Sequence, residues 1–427
     1  MSIVTAQRGQ RSVKRSVKRP VKRPVRRLVR RSVKRLVKRV CRATDTVERD
    51  YGAWLTVPPK VTEDSMERIP ALDALLGKLA EIGASDLHLK VGSPPAYRID
   101  GRLHFSELPK INPADTEEWA QALMDGKAQD MFAAEGEVDF GYGTASLGRF
   151  RVNVYRQRGS IALVVRSVVA GSKGFIELGL PEAVGRMCKQ DRGLVVVTGS
   201  SGSGKTTSLN AMVDEINSTR RVSIVTLEDP IEMLHRDKMA IVSQREVGVD
   251  AINFPDGLRR VLRQDPNVIM VSELRDAETI ESALYAAETG HLVLAAMYTN
   301  DATETVTRLI EVFEPHRHHQ MRLRFGRNLK AVISQRLVAS ADDSGRVPAV
   351  EVLMHTDRTF DYIMDPERTP RLEEVMSEGA YYGMKSFDQC LLGMFRDGTI
   401  TFEEALNNAS HPTDFRMAAQ KTGLRTA

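Results

Sequence analysis

The sequence predicts an α/β fold in which helices cover a parallel sheet, preceded by a smaller α+β domain. In the second half of the chain, four short apolar runs alternate with helical segments, as parallel strands buried on both faces do. These runs are Leu194–Val197, Val222–Thr226, Val268–Val271 and Leu292–Ala296. Ahead of them, segments of alternating polarity indicate antiparallel hairpins, which favours a separate α+β sheet domain.

The elements of the first domain follow from local patterns. Helical periodicity covers Ile69–Ala80, and alternation predicts strands at Ser85–Leu89, Leu147–Tyr155 and Ser160–Arg166. An Asp-Gly pair inside Tyr97–Leu103 marks a hairpin turn. Near the other end of the chain, two short amphipathic helices are predicted at Phe387–Phe395 and Phe402–Ala409.

Composition shifts divide the 427 residues into five regions. They are a basic low-complexity tail at 1–65, the α+β domain at 66–170, a linker at 171–185, a nucleotide-binding core at 186–366 and a helical region at 367–427. The linker is predicted because glycines and a proline punctuate it.

A glycine-rich loop follows the first apolar run and has the spacing of a phosphate-binding loop. It comprises Gly199, Ser200, Ser201, Gly202, Ser203, Gly204, Lys205, Thr206 and the adjoining Thr207. Because a strand precedes the loop and a helix follows it, free backbone N–H groups can point at phosphate oxygens. Lys205 would reach the β- and γ-phosphates, and Thr206 would hold Mg²⁺. The context favours nucleoside triphosphate binding over a chance glycine-rich turn.

Acidic residues follow two of the predicted strands. Glu228 and Asp229 come after the second run, and Glu273 comes shortly after the third. Ligands of open parallel sheets bind beyond the carboxyl ends of the strands, where Mg²⁺ and an attacking water would lie. A catalytic role is therefore predicted, with helix capping as the alternative.

Other candidate residues are less specific. His291 precedes the fourth run, and a lone histidine is more often structural than catalytic. His316, His318 and His319 lack the spacing of a metal site, which favours a solvated loop or helix face. Five arginines crowd the last strands of the first domain, either as a solvated sheet edge or as arginine fingers for a neighbouring subunit. They are Arg149, Arg151, Arg156, Arg158 and Arg166.

The net charge of +5 hides an asymmetry. Residues 1–65 hold 19 Lys and Arg against 5 acids, whereas the remainder holds 42 against 51. From Arg11 to Lys38 a four-residue basic unit repeats seven times, and such a tract cannot bury a core. The alternatives are a tail that binds nucleic acid or acidic lipid, a disordered arm, and a misplaced start with the working protein beginning at Met66.

The composition also argues against several classes of protein. There is no apolar run of about 18 residues, so no membrane span is expected. The basic N-terminus lacks the apolar segment of a secretory signal. Cys41, Cys188 and Cys390 are scattered and form no metal-ligand pair, which favours a reducing compartment.

Four blocks resemble the secretion and pilus motor ATPases of the GspE/PulE type. They are the phosphate loop, Leu227–Glu232 (similar to the family's Asp box), Asp265–Asp276 (its Walker B block) and Glu288–Leu294 (its His box). Further segments are similar to the PilT/PilU retraction branch: Gly83–Leu89, Gly148–Asn153, Gln244–Gly248, Ala331–Leu337 and Ser386–Gln389. The resemblance extends from about Ile69 to Phe415.

The resemblance implies a PAS-like N-terminal domain, a RecA-like P-loop ATPase domain and a homohexamer that hydrolyses ATP with Mg²⁺ to drive pilus retraction. It makes Glu228 the catalytic glutamate and Glu273 the Walker B acid, which holds Mg²⁺ through water. It also implies arginine fingers at Arg151 and Arg166 and a functional His291. The implied location is cytoplasmic, at the inner face of the membrane, with an inner-membrane platform protein and a paralogous retraction ATPase as partners.

Two departures from the family pattern leave alternatives open. Ser272 stands where a glycine is usual before the Walker B acid, and Tyr298 replaces a second histidine. A nearly inactive regulatory subunit is therefore one alternative. An assembly or secretion motor of the same fold is another, although the four-cysteine zinc element usual in that class does not occur in the sequence. A nucleic-acid-dependent ATPase, binding only through residues 1–65, is the third.

Overall fold

The computed structural model describes residues 70–99, 101–144, 147–171, 173–343 and 345–421. These residues belong to one compact unit that extends from Arg68 to Ala427. The predictions for the basic tail and for a start at Met66 lie outside the described residues.

The first part of the unit is an antiparallel sheet covered by helices. Its elements are α1 (Pro70–Glu81), β1 (Asp86–Lys90), β2 (Ala96–Ile99), β3 (Arg102–Phe105), α2 (Pro113–Leu123), α3 (Gly126–Glu135), β4 (Glu137–Thr144), β5 (Gly148–Gln157) and β6 (Ser160–Ala170). The strand order is β3-β2-β1-β6-β5-β4. The predicted hairpin joins β2 to β3, and Gly101 adopts the positive φ of 79° that its turn requires.

Apolar residues from each helix fill the core of this first sheet. Leu76 of α1, Trp119 of α2 and Phe132 of α3 pack with Leu87 and Phe150 of the strands. The predictions of α1, β1, β5 and β6 are confirmed, whereas α2, α3 and β4 were not predicted.

The second part is a mostly parallel sheet. Its elements are α4 (Glu182–Met187), β7 (Gly193–Thr198), α5 (Lys205–Thr219), β8 (Ser223–Glu228), β9 (Met233–Leu234), β10 (Ile241–Glu246), α6 (Phe254–Val261), β11 (Val268–Val271), α7 (Ala277–Glu288), β12 (Leu292–Met297), α8 (Ala302–Glu311), α9 (His318–Asn328), β13 (Leu329–Ala339) and β14 (Arg346–Met354). The order is β10-β8-β11-β12-β7-β13-β14, and only β14 runs antiparallel to its neighbour. Instead of joining this sheet, β9 pairs in parallel with β6 of the first sheet.

Both faces of the parallel sheet are buried, which explains the continuous apolar runs. Alternate residues of one strand enter separate cores: Leu194 and Val196 pack on one face, and Val195 and Val197 pack on the other. All four predicted strands are therefore present, as β7, β8, β11 and β12. The strands β10, β13 and β14 were not predicted.

The predicted linker at 171–185 includes residues of the second core. Leu180, Ala183 and Val184 are buried there, and α4 begins inside the predicted range. The domain limits remain predictions, but this segment packs against the parallel sheet.

The C-terminal region is helical, as predicted. The helix α10 (Asp357–Met364) precedes residue 367, and the elements of the region itself are α11 (Leu372–Glu378), α12 (Phe387–Arg396), α13 (Phe402–Asn408) and α14 (Pro412–Lys421). Phe387, Leu391, Ala405 and Phe415 form a small core of their own with residues of β13 and β14. Within the described residues, no helix is both long enough and apolar enough to cross a bilayer.

Candidate nucleotide-binding and catalytic site

The glycine-rich loop connects the carboxyl end of β7 to the first turn of α5. Three of its glycines have positive φ values, 146° at Gly199, 75° at Gly202 and 92° at Gly204. At Gly199 an added Cβ would collide with Ser203 Oγ and with the carbonyl oxygen of Gln335. The loop therefore needs glycine here for close approach as well as for its backbone angle. The helix N-terminus that follows has the free N–H groups a phosphate requires.

The side chain of Lys205 is held against its own loop. Its Nζ donates hydrogen bonds to the carbonyl oxygens of Gly199 (3.0 Å) and Ser200 (2.8 Å). It also lies 3.9 Å from the centre of the Tyr298 ring. Burial lowers the pKa of Lys205, and the negative charges of Glu273 and Glu232 oppose that shift. The ammonium group is thus in place at the mouth of the phosphate loop.

Glu228 is the last residue of β8, and its carboxylate is buried. It accepts hydrogen bonds from Thr226 Oγ1 (2.6 Å) and Gln244 Nε2 (3.0 Å). Burial is the largest influence and raises its pKa, with the nearby charge of Glu232 acting in the same direction. A carboxylate with a raised pKa is better suited to take up a proton.

Glu273 lies beyond the end of β11, beside the end of β8. The two strands are parallel neighbours in which Val271 is opposite Leu227. Arg275 Nη2 lies 2.6 Å from Glu273 Oε2, and Arg275 Nη1 lies 3.8 Å from Asp229 Oδ2. The acids that follow these two strands therefore lie at the same edge of the sheet, and their catalytic role stays a prediction.

Ser272, one of the departures from the family pattern, connects the same two strand ends. Its hydroxyl oxygen accepts a hydrogen bond of 3.2 Å from the backbone N–H of Asp229. A glycine at this position could not make the contact.

The oxygens at this edge suit Mg²⁺ chemically. Thr206 offers a hydroxyl and Glu273 a carboxylate, the hard donors that this ion prefers. Within the described residues, no group of three or more His, Cys, Asp or Glu side chains could hold a metal alone. Mg²⁺ is commonly held by one or two protein oxygens, with nucleotide phosphates and water as its other ligands.

A cleft of about 690 Å³ opens beside the loop. On one side it is lined by Ser203, Ser208 and Gln335, and on the other by residues of the segments 173–181, 346–350 and 385–399. Its size is ordinary for a small-molecule site. Ser203 Oγ and Gln335 Oε1 are buried without a hydrogen-bond partner among the described residues. Such atoms are where a bound nucleotide can supply the missing contacts.

Sequence reasoning missed this cleft because its walls come from distant segments. Gln335 lies in the block Ala331–Leu337, which resembles the retraction branch, and its Nε2 donates a hydrogen bond to Ser208 Oγ (2.8 Å) at the base of the loop. The resemblance of this block to the retraction branch was the one sequence feature that pointed to Gln335 as a functional residue.

The two predicted arginine fingers lie side by side on the first sheet. Arg151 of β5 is opposite Arg166 of β6. Arg166 Nε lies 2.8 Å from Asp86 Oδ1, and Arg151 Nε lies 3.6 Å from Asp139 Oδ1. Among the described contacts, neither arginine bonds to the phosphate loop. Both side chains are partly exposed, so their role toward a neighbouring subunit stays a prediction.

The structure does not bring His291 to the loop. His291 precedes β12, and its carbonyl oxygen accepts a hydrogen bond from Gly193, at the start of β7. The loop follows the other end of β7, about 20 Å away for a six-residue strand. The ring nitrogen Nδ1 lies 2.9 Å from the carbonyl oxygen of Ala286. The residue that does lie beside Lys205 of the loop is Tyr298, which stands in place of the family's second histidine just beyond the carboxyl end of β12.

Comparisons with known proteins show the family to which the chain belongs. A family model described as "Type II/IV secretion system protein" matches residues 150–413. The type IV pilus ATPase PilU of Pseudomonas aeruginosa is 37% identical over 345 residues, which is 81% of this chain and 90% of that protein. The type IV pilus retraction ATPase PilT of the same organism is 38% identical over 341 residues, covering 80% of this chain and 98% of that protein.

A solved structure also matches. The crystal structure of the pilus retraction motor PilT with bound ADP aligns with a TM-score of 0.73 at 41% identity, over 80% of this chain and 97% of that one. The family model covers more than half of the chain, and the relatives are matched almost from end to end. The chain therefore belongs to the type II/IV secretion system protein family, with the PilT and PilU ATPases of the type IV pilus.

Proposed function

We propose that the chain is a motor ATPase that drives retraction of a type IV pilus as a ring of six subunits. The observation that carries the proposal is that Lys205 of the phosphate loop, Glu228 and Glu273 all lie at or beyond the carboxyl ends of strands of one parallel sheet. It occurs in a chain that matches an ADP-bound pilus retraction motor over nearly that motor's whole length.

Each side chain would have one task in hydrolysis. Lys205 would leave the carbonyl oxygens of its own loop and contact the β- and γ-phosphates of ATP. Glu228 would orient the attacking water and accept its proton. Thr206, and Glu273 through water, would hold Mg²⁺, which neutralises charge on the phosphates when bound. The base and ribose would occupy the cleft beside Gln335.

The domain assignment extends the proposal. We assign a PAS-like domain to 66–170 and a RecA-like ATPase core to 186–366, followed by a helical region at 367–427. Arg151 and Arg166 are exposed neighbours on the first sheet, which supports a role as arginine fingers reaching the nucleotide of an adjacent subunit. His291 would act at such an interface, because it lies at the opposite edge of the sheet from its own phosphate loop.

The proposed setting is the inner face of the cytoplasmic membrane. Changes of domain angle during hydrolysis would be passed to an inner-membrane platform protein, and a paralogous retraction ATPase would be a further partner. Any contact with nucleic acid is expected only through residues 1–65.

The experiment is to replace Lys205 with Ala in the native host and to measure surface pili and twitching motility at unchanged protein level. Abundant pili with lost motility would support a retraction motor. Bare cells would indicate an assembly motor and would overturn the proposal. Lys189→Ala is the matched control, because it removes an exposed lysine that is not part of the loop.

A further inference from the structure

One ion pair joins the first sheet to the strand beside Glu228. Arg149 of β5 places its Nη2 2.7 Å from Oε2 of Glu246, the last residue of β10. The two residues are 97 positions apart in the chain. Arg149 therefore has a partner inside its own subunit. The sequence alone suggests either a solvated sheet edge or an arginine finger for this residue.

Glu246 is buried and makes a second contact that reaches the catalytic strand end. Its Oε2 also accepts a hydrogen bond of 3.1 Å from the backbone N–H of Ile231. In the parallel ladder, Glu246 is directly opposite Glu228. The carboxylate of Glu246 thus contacts both Arg149 of the first sheet and Ile231, which is three residues after Glu228.

Two further contacts join the same segments to the first sheet. Lys127 Nζ, in α3, donates a hydrogen bond of 2.7 Å to the carbonyl oxygen of Gly248. The strand β9, which follows Ile231, pairs with β6 at Val169 and Ala170. The stretch from Glu228 to Leu234 is therefore joined to the first sheet at two points, through Glu246 at Ile231 and through the pairing of β9 with β6.

A glycine lies next to the ion pair, where a side chain would not fit. Gly141 of β4 lies beside it, and an added Cβ would be 2.8 Å from Arg149 Nη2 and 3.1 Å from Glu246 Oε1. The guanidinium group crosses β4 at this glycine to reach the carboxylate. Losing one member of a buried pair leaves the other charge unpaired, which costs more than the pair itself contributes. The ion pair therefore stabilises the contact between the first sheet and β10.

We propose that Arg149 and Glu246 are positioning residues for hydrolysis. Through Ile231 they fix the segment that follows Glu228, so that the placement of this carboxylate depends on the orientation of the first sheet. A rotation of the first sheet would pull on the ion pair and move the segment. The inference rests on the proposed function, because it assumes that Glu228 acts on ATP.

The test compares Arg149→Gln with Arg102→Gln, a control that removes an exposed charge from β3 of the same sheet. The measurements are kcat and KM for ATP and the Kd of ADP, on the full-length purified ring. We expect kcat of Arg149→Gln to fall at least about tenfold with KM and Kd changed less than about threefold, because positioning affects the transition state more than binding. Arg149→Lys, which keeps the charge, should recover part of the loss.

The double variant makes the test specific. If the two residues act as one unit, Arg149→Gln with Glu246→Gln should be no slower than the slower single variant. Multiplied losses would overturn the inference, as would wild-type kcat in Arg149→Gln. Should Arg149→Gln fail to fold, Glu246→Gln carries the test, because an amide keeps an acceptor for Ile231. A wild-type ring without ATP hydrolysis would instead overturn the proposed function.

Discussion

The ammonium group of Lys205 lies over the ring of Tyr298, 3.9 Å from its centre. The resemblance to the motor ATPases leads one to expect a histidine at this position. A tyrosine ring attracts a cation through its π-electron face, whereas a protonated imidazole would repel it. The lysine that is predicted to bind phosphate therefore packs against the face of an aromatic ring.

Tyr298→His should change turnover and leave nucleotide affinity nearly unchanged. The phosphates are predicted to contact the loop and Lys205, which the substitution leaves intact. A histidine titrates near pH 6.5, so the kcat of the variant should depend on pH between about 6 and 7. Steady-state hydrolysis and ADP binding from pH 6 to 8 measure both effects. A large loss of ADP binding would contradict the prediction.

Tyr298→Phe separates the ring from the hydroxyl. It keeps the face over which Lys205 lies, so its kcat should stay within about twofold of wild type. Tyr298→Ala removes a contact worth roughly 0.5–2 kcal/mol and should change kcat more. If the Phe and Ala variants lose kcat to the same extent, the hydroxyl and not the ring face is the group that affects turnover.

Glu228→Gln should abolish most hydrolysis and preserve ATP binding. An amide keeps the size of the side chain and can accept the hydrogen bond from Thr226. It cannot take up a proton, and general-base catalysis is worth on the order of 10²–10⁴ in rate. Single-turnover hydrolysis and equilibrium binding of ATP measure the two properties separately. A rate within tenfold of wild type would exclude Glu228 as the base.

Much of this site could be predicted from the sequence because its residues follow strands. Two apolar runs buried on both faces fix the parallel strands β8 and β11, so Glu228 and Glu273 had to meet at their carboxyl ends. The same logic explains why His291 lies away from the phosphate loop of its own subunit, while a functional role for it stays a prediction. His291 precedes its apolar run, and a residue before a parallel strand lies at the opposite edge.

Long-range contacts could not be predicted in the same way. The ion pair of Arg149 with Glu246 joins residues far apart in the chain, and neither local periodicity nor spacing specifies such a partner. The cleft beside the loop depends on β13 and β14, which were not predicted as strands, and on the C-terminal helices. Its walls exist only once the sheet is assembled.

Glu351 should contribute a fall in the free energy of unfolding as pH rises from about 5 to 7. This carboxyl is buried, and burial raises its pKa from an ordinary 4.5 to about 7. Between those values the folded chain holds a proton that the unfolded chain releases, so the folded state loses stability as pH increases. The slope from this group is at most about 1.4 kcal/mol per pH unit.

Glu351→Gln should remove that slope. The amide can still accept the hydrogen bond that Ala302 donates at the start of α8 (2.8 Å). Denaturant unfolding of both proteins at pH 5.5 and pH 7.5 gives the comparison. The variant should gain stability relative to wild type at the higher pH. An identical pH dependence in the two proteins would show that Glu351 does not titrate in this range.

Gly199→Ala should damage the phosphate loop far more than Gly202→Ala, although both glycines have positive φ. At Gly202 no atom of the described residues lies within 4 Å of an added Cβ, so only backbone strain of roughly 1–2 kcal/mol is expected. At Gly199 the Cβ would also collide with the Gln335 backbone, which is part of the buried strand β13 and cannot move aside. Thermal unfolding without nucleotide should show a shift of a few degrees for Gly202→Ala and a clearly larger one for Gly199→Ala. Equal shifts would mean that the close packing of Gly199 against β13 does not hold the loop.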